Sequence, residues 1–228
     1  MRTTLTWLQA GEIGEPRLPP ALAVLTAAGL YATLPDKFVG GSSGFLLALR
    51  WIVPALALLL VPPLALTAPR RRIVLSVRRR TAAIALIAVI SAANGASIVL
   101  LVHLIANGHK IGGHELVRAA IHIWCVNVIV FALWFWQLDS GGPMERRRAK
   151  PAAPDFLFPQ QATPEIGPPN WYPSFLDYLY LSFTNSTAFS PTDTMPLTQW
   201  AKMLMLVESG ASLLTLVMVA ARAVNILM

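Results

Sequence analysis

From Thr81 to Ala106 the chain reads TAAIALIAVISAANGASIVLLVHLIA, without an Asp, Glu, Lys or Arg. As α-helix this stretch is about 39 Å long at ~1.5 Å per residue, more than the ~30 Å hydrocarbon core of a bilayer. A soluble core does not require apolar blocks of that length. The whole chain follows the same pattern: 55% of its 228 residues are hydrophobic and 13% are charged, against about 25% charged in soluble domains. In lipid every backbone N–H and C=O must be satisfied internally, which restricts spanning segments to helices and closed barrels. The block lengths select helices, so an all-α integral membrane protein is expected.

Five blocks are long enough to be read as spans: Leu18–Pro35, Phe45–Ala68, Thr81–Ala106, His114–Leu138 and Leu197–Met228. Pro54 is expected to kink the second and Pro62-Pro63 to weaken its end. The fourth ends in Trp134 and Trp136, which suit the membrane interface. Residues 1–17 are polar and mixed, with Trp7 and Leu8 as interfacial anchors. Glu12 and Glu15 precede the first apolar run and no small-residue cleavage site follows it, unlike a signal peptide. Between the fourth and fifth blocks lies Asp139–Pro173, with Pro143, Pro151, Pro154, Pro159, Pro164, Pro168, Pro169 and Pro173. That density is expected to exclude regular helix, and Phe156, Leu157, Phe158, Trp171 and Tyr172 are expected to lay the segment on the protein or membrane surface. The organisation expected is a four-helix membrane region (1–138), a Pro-rich connector (139–174) and a C-terminal helical hairpin (175–228).

The net charge of +7 is unevenly placed. Arg70, Arg71, Arg72, Arg78, Arg79 and Arg80 form one basic loop; Arg146, Arg147, Arg148 and Lys150 form a second. If the first four blocks all cross, both loops share a side with the N-terminus, and the opposite loops carry only Lys37 and Lys110. Basic clusters flanking apolar spans are topology signals, so the positive-inside bias puts the N-terminus and the Arg-rich loops in the cytoplasm. No nucleic-acid partner is expected. Cys125, the single cysteine, is read as a small buried hydrophobe.

Phe175–Ser190 is an exception among the apolar segments. It is about 24 Å long as helix, too short for a full span, and its second half, TNST, is polar. A short re-entrant-type helix before the last span is expected, followed by a turn that protein or water must shield; the alternative is that the short helix crosses a locally thinned bilayer and the C-terminus returns to the cytoplasmic side. The segment DYLYLSFTNSTAFSPTDTMP, with Thr198 and Ala201-Lys202 after it, resembles the pore module of the tetrameric potassium-channel superfamily, whose members often read DALYFSFVTLTTVGYGDIVP. Asp177, Leu179, Tyr180, Ser182, Phe183, Thr187, Asp193 and Pro196 match without a gap, and Glu208 falls where some members carry Glu. The chain is also similar, more closely, to bacterial membrane proteins of unknown function that carry FTNxTAFSPTDTMPL. These resemblances imply a multi-pass protein of a bacterial-type inner membrane, a pore helix and inner helix, and a homo-oligomer, with a tetramer as the hypothesis.

The filter region departs from the superfamily. Where the potassium filter reads TVGYGD, this chain reads AFSPTD. Ser190 and Thr192 stand at the Gly positions, and Pro191 removes a donor, which opposes a potassium-selective carbonyl cage. Thr187, Ala188, Phe189, Ser190, Pro191, Thr192 and Asp193 are the pore or filter-region candidates. A second reading of Ser190-Pro191-Thr192-Asp193 is a helix start, with Ser as cap and Pro at the first helical position.

Polar residues inside the apolar blocks are functional candidates by default: Arg118, His122 and Asn127 on the fourth, Asn94 and His103 on the third, Glu208 and Asn225 on the last. Arg118 and His122 share a helical face. Arg118 has Glu208 or Glu115 as candidate partners. Gly210, Ala211 and Ser212 suit close helix packing. No zinc-type spacing, no nucleophile elbow and no phosphate-binding glycine motif is present, so no metal, cofactor or enzymatic activity is expected. The function expected is a channel-like membrane protein in the lipid bilayer, a weakly selective ion pathway formed by an oligomer. The alternative is a non-conducting scaffold or interaction protein.

Overall fold

The computed structural model describes residues 16–39, 44–66, 73–109, 111–147, 152–169, 171–190 and 193–227. The chain is all-α, with helices α1 (Leu18–Ala32), α2 (Gly44–Leu66), α3 (Ile73–Ala106), α4 (Gly113–Leu138), α5 (Pro159–Ala162), α6 (Phe175–Ala188) and α7 (Gln199–Leu227). Two short strands, β1 (Phe156–Leu157) and β2 (Met195–Pro196), pair antiparallel, with Phe156 opposite Pro196 and Leu157 opposite Met195.

Among the described residues, three helical stretches are long and apolar enough to cross a membrane: Arg78–Ala106, Gly113–Gly141 and Gln199–Arg222. Leu18–Ala32 and Arg50–Val61 are apolar but shorter. Among the described residues, length and composition thus support three of the five spans expected from the sequence. Helix α2 runs through Pro54, Pro62 and Pro63 to Leu66. Helix α3 starts at Ile73, so Arg78, Arg79 and Arg80 lie on its first turns and not in a loop as expected; arginine is a good helix former. Trp7, Leu8, Arg70–Arg72, Arg148, Lys150, Pro191 and Thr192 lie outside the described residues.

Helix α4 is the centre of the bundle. Of its apolar window 56% is buried, against 22% for α7. Its length divides the core in two. One cluster joins α1–α4 through Ala27, Tyr31, Val53, Ala57, Ile90 and Leu133. The other joins the last turns of α4 to β1, α6 and α7 through Phe131, Phe135, Phe156, Tyr178, Leu181 and Met205.

The bundle has two distinct ends. At one, Arg50 on α2 bonds the Ala32 carbonyl and the Asp36 carboxylate, and Lys37 pairs with Glu115 at the start of α4 (3.1 Å). At the other, Gly142 just beyond α4 lies against the Arg80 side chain from α3. The starts of α6 and α7 are at this second end as well. Tyr178, in the first turn of α6, donates to Asp139 Oδ2 (2.5 Å), and Trp200, in the first turn of α7, donates to Asp155 Oδ1 (2.8 Å). The Phe156 ring touches both, with centroids 6.5 and 6.1 Å away. Moving away from that end, Phe183 packs on Trp124 and Asn127 bonds Ser212. Both α6 and α7 are therefore antiparallel to α4 and run in the same direction. The chain leaves α6 at Ala188 and doubles back to β2 before α7 begins.

Two expectations about this region are corrected. The Pro-rich connector does contain one helical turn, α5, because Pro159 occupies its first position, where no N–H is needed, and Gln161 Oε1 accepts from Phe158 N (3.1 Å). Of the alternative helix start at Ser190–Asp193, Pro191 and Thr192 lie outside the described residues, and neither Ser190 nor Asp193 is helical. Phe189 adopts a left-handed conformation (φ 54°) that ends α6, and the pairing of β2 with β1 holds the chain extended at Met195–Pro196.

Candidate functional site

The last two turns of α6 present Ser182, Asn185 and Ser186, at i, i+3 and i+4 on one helical face, to Glu208 on α7. Asn185 Nδ2 donates to Glu208 Oε2 (2.6 Å) and to the Met205 carbonyl (3.0 Å). Ser186 Oγ donates to Glu208 Oε1 (3.1 Å). The Ser182 hydroxyl touches that same carboxyl oxygen and also the Val128 carbonyl of α4 (2.7 Å). Asn127 on α4 closes the ring, donating to Ser212 Oγ (3.0 Å) and the Glu208 carbonyl (3.3 Å). Ser209 Oγ donates to Asn185 Oδ1 (3.1 Å). All but Ser209 are buried, Glu208 completely. A buried polar network stabilises only when its members are satisfied. Here the carboxyl group has three donors, and every link joins two of the three helices α4, α6 and α7.

A second polar centre lies at the C-terminal end of α4. Asp139 is buried and its Oδ1 accepts from Asp155 N (2.8 Å) while Oδ2 accepts from Tyr178. Ser140, Gly141 and Gly142 all have positive φ (52°, 79° and 101°), which turns the chain sharply beneath the helix end. A Cβ at Gly142 would meet the Gln137 carbonyl at 2.8 Å, so glycine is required there. The turn brings back Arg146, whose Nη1 donates to the carbonyls of Trp136 (2.8 Å) and Asp139 (2.9 Å). Its guanidinium also lies over the Tyr178 ring, 5.0 Å from the centroid. An arginine thus satisfies carbonyls that the end of α4 leaves open.

The sequence candidates distribute as follows. Asn127 and Glu208 come together in the first network. Arg118 is exposed and does not pair with Glu208, whose carboxyl is occupied by α6 donors; Glu115 pairs with Lys37 instead. His122 bonds the Arg118 carbonyl through Nδ1 (2.7 Å) on its own helix. Thr187, Ala188, Phe189, Ser190 and Asp193 are all exposed. The Thr187 hydroxyl donates to the Phe183 carbonyl (2.9 Å) and not into a separate site. Of the three small residues on α7, Ser212 is buried against Asn127, whereas Gly210 is exposed with open space around it. Among the described residues no group of three or more His, Cys, Asp or Glu side chains is placed to hold a metal.

Sequence reasoning did not place Asn185, Ser186, Asp139 or Tyr178 in a polar site, and it met Ser182 only as a match to the pore module and Arg146 only as a member of the second basic loop. For Ser182, Asn185 and Ser186 the signal was present: polar residues at i, i+3 and i+4 share one face of a helix whose first half is mainly apolar. No family model, curated protein or solved structure matches this chain.

Proposed function

We propose that this chain is the subunit of an oligomeric, channel-type membrane protein in which α6 is a re-entrant helix and the segment returning from it lines a hydrated path. The observation that carries the reading is the common origin of α6 and α7 at the same end of α4, with the chain doubling back between them. Helix α6 has 14 residues, about 21 Å, and so reaches only part-way into a bilayer. Irregular backbone at membrane depth needs cover from protein or water, yet Phe189, Ser190 and Asp193 are exposed in the single chain. A ring of copies around a water-filled axis supplies that cover. Short helix, returning segment and long helix are also the order that the resemblance to potassium channels implies. A serine and a threonine in place of the filter glycines, with a proline between them, argue for weak selectivity.

On this reading Arg17, Arg78–Arg80, Arg146 and Arg147 mark the cytoplasmic end, α6 dips in from the cytoplasm, and α7 ends on the opposite side. Thr187, Ser190 and Asp193 border the path, and the Glu208 network fixes α6 at its depth. The test begins with a Cys125→Ser background carrying Asp193→Cys or, as a reference for the Pro-rich side, Glu165→Cys. A membrane-impermeant thiol reagent is expected to label both from the same face of oriented vesicles. Labelling of the 193 position from the opposite face alone would overturn the re-entrant reading. Ion flux through liposomes bearing Asp193→Asn against the parent then tests the charge; equal flux removes Asp193 from the mechanism.

A further inference from the structure

At the basic end of the bundle the Pro-rich connector leaves a cleft lined by Ser140, Arg146, Pro154, Gln161, Tyr172 and Pro173. We propose that this cleft binds the phosphate of an anionic phospholipid headgroup. Three features point to that ligand. The first is the charge at the lining: Arg146 is one of the lining residues, and the Arg147 guanidinium lies over the ring of another, Tyr172, 5.6 Å from its centroid. Arginine is the side chain best matched to phosphate oxygens.

The second is donor chemistry. Gln161 Oε1 is occupied by Phe158 N (3.1 Å), so the side of Gln161 left for a ligand is its amide N–H₂, a donor. Tyr172 adds a hydroxyl. These are groups that an anion's acceptor oxygens satisfy. The third is depth. Trp136 ends the apolar stretch of α4, Trp171 packs on Phe158 beside the cleft, and Trp200 begins α7. Indole rings at the ends of apolar helices sit at headgroup level, and Arg78, Arg79 and Arg80 lie on the neighbouring first turns of α3. Basic pockets at that level, on the cytoplasmic side, are where anionic headgroups are held. The site is separate from the Glu208 network and does not require conduction.

The experiment uses the full chain in nanodiscs or mixed micelles, with thermal unfolding and native mass spectrometry as readouts. Phosphatidylglycerol is expected to raise the melting temperature and remain bound, where the same mole fraction of phosphatidylcholine does neither. Arg147→Gln with Gln161→Glu, which keeps the Oε1 acceptor for Phe158 N and replaces the amide donor by a negative charge, is expected to weaken phosphatidylglycerol binding about tenfold, the loss of roughly one charged hydrogen bond, while melting in phosphatidylcholine stays at the parent value. Both positions are at least partly exposed, and either single variant serves if the double variant melts early. Equal stabilisation by phosphatidylcholine, or parent-like phosphatidylglycerol binding in the variants, overturns the proposal. So does displacement of the lipid by inorganic phosphate or glycerol phosphate at matched concentration, which would make it a soluble-phosphate site.

Discussion

Replacing Glu208 by alanine removes the acceptor on which α6 converges. Hydrogen bonds between membrane helices contribute about 0.6 kcal/mol each on average, so the three from Ser182, Asn185 and Ser186 sum to about 2 kcal/mol. Two of the donors retain a second partner, Ser182 in the Val128 carbonyl and Asn185 in the Met205 carbonyl. Ser186 has only the carboxyl group, and an orphaned buried hydroxyl adds about 1 kcal/mol. Glu208→Ala is therefore expected to lose about 3 kcal/mol. Glu208→Gln is the informative control. Its oxygen accepts from Asn185, and its N–H₂ group donates to the Ser182 and Ser186 hydroxyls, leaving Ser182 free to donate to Val128. The amide keeps all three contacts and is expected to lose less than about 1 kcal/mol. Reversible unfolding in mixed micelles, followed by helical circular dichroism, measures both. If alanine is tolerated within about 0.5 kcal/mol, the network does not hold α6. If glutamine costs as much as alanine, charge and not hydrogen bonding is what the site needs.

Asp139→Asn presents an amide to either Tyr178 or the backbone N–H of Asp155 and is expected to cost about 1–3 kcal/mol. Limited proteolysis should then cut the Pro-rich connector faster, and combining it with Tyr178→Phe should be less than additive because the two share one bond. At position 189, where φ is 54°, Phe189→Gly is expected to be near neutral, whereas Phe189→Val should lose about 1–2 kcal/mol because a β-branched side chain resists that conformation; thermal melting compares them. Lys37→Ala, which removes an exposed ion pair with Glu115, is expected to change stability by no more than about 1 kcal/mol.

The long helices were legible in the sequence, and the single turn α5 was not. Apolar blocks bounded by Gly, Pro and Arg fixed α1, α2, α3, α4 and α7 to within a few residues, except that α3 begins eight residues earlier (73 against 81), because arginines continue a helix as readily as they punctuate one. The brevity of α6 was also legible, since sixteen residues with a polar second half do not make a span. Tertiary structure alone decided where α6 points and what it touches. The pairing of β1 with β2 joins residues about forty apart in the chain (156 and 196), and it is this pairing that returns the chain to the end it left. The partners of the buried polar groups are farther still: Asn127 and Ser212 are separated by 85 positions. Hydrophobic periodicity is a local signal that reports which face of a helix is buried. It carries no information on which distant donor meets a buried carboxyl group, and so Arg118, a plausible partner by charge, lies exposed while two serines and an asparagine of α6 hold Glu208.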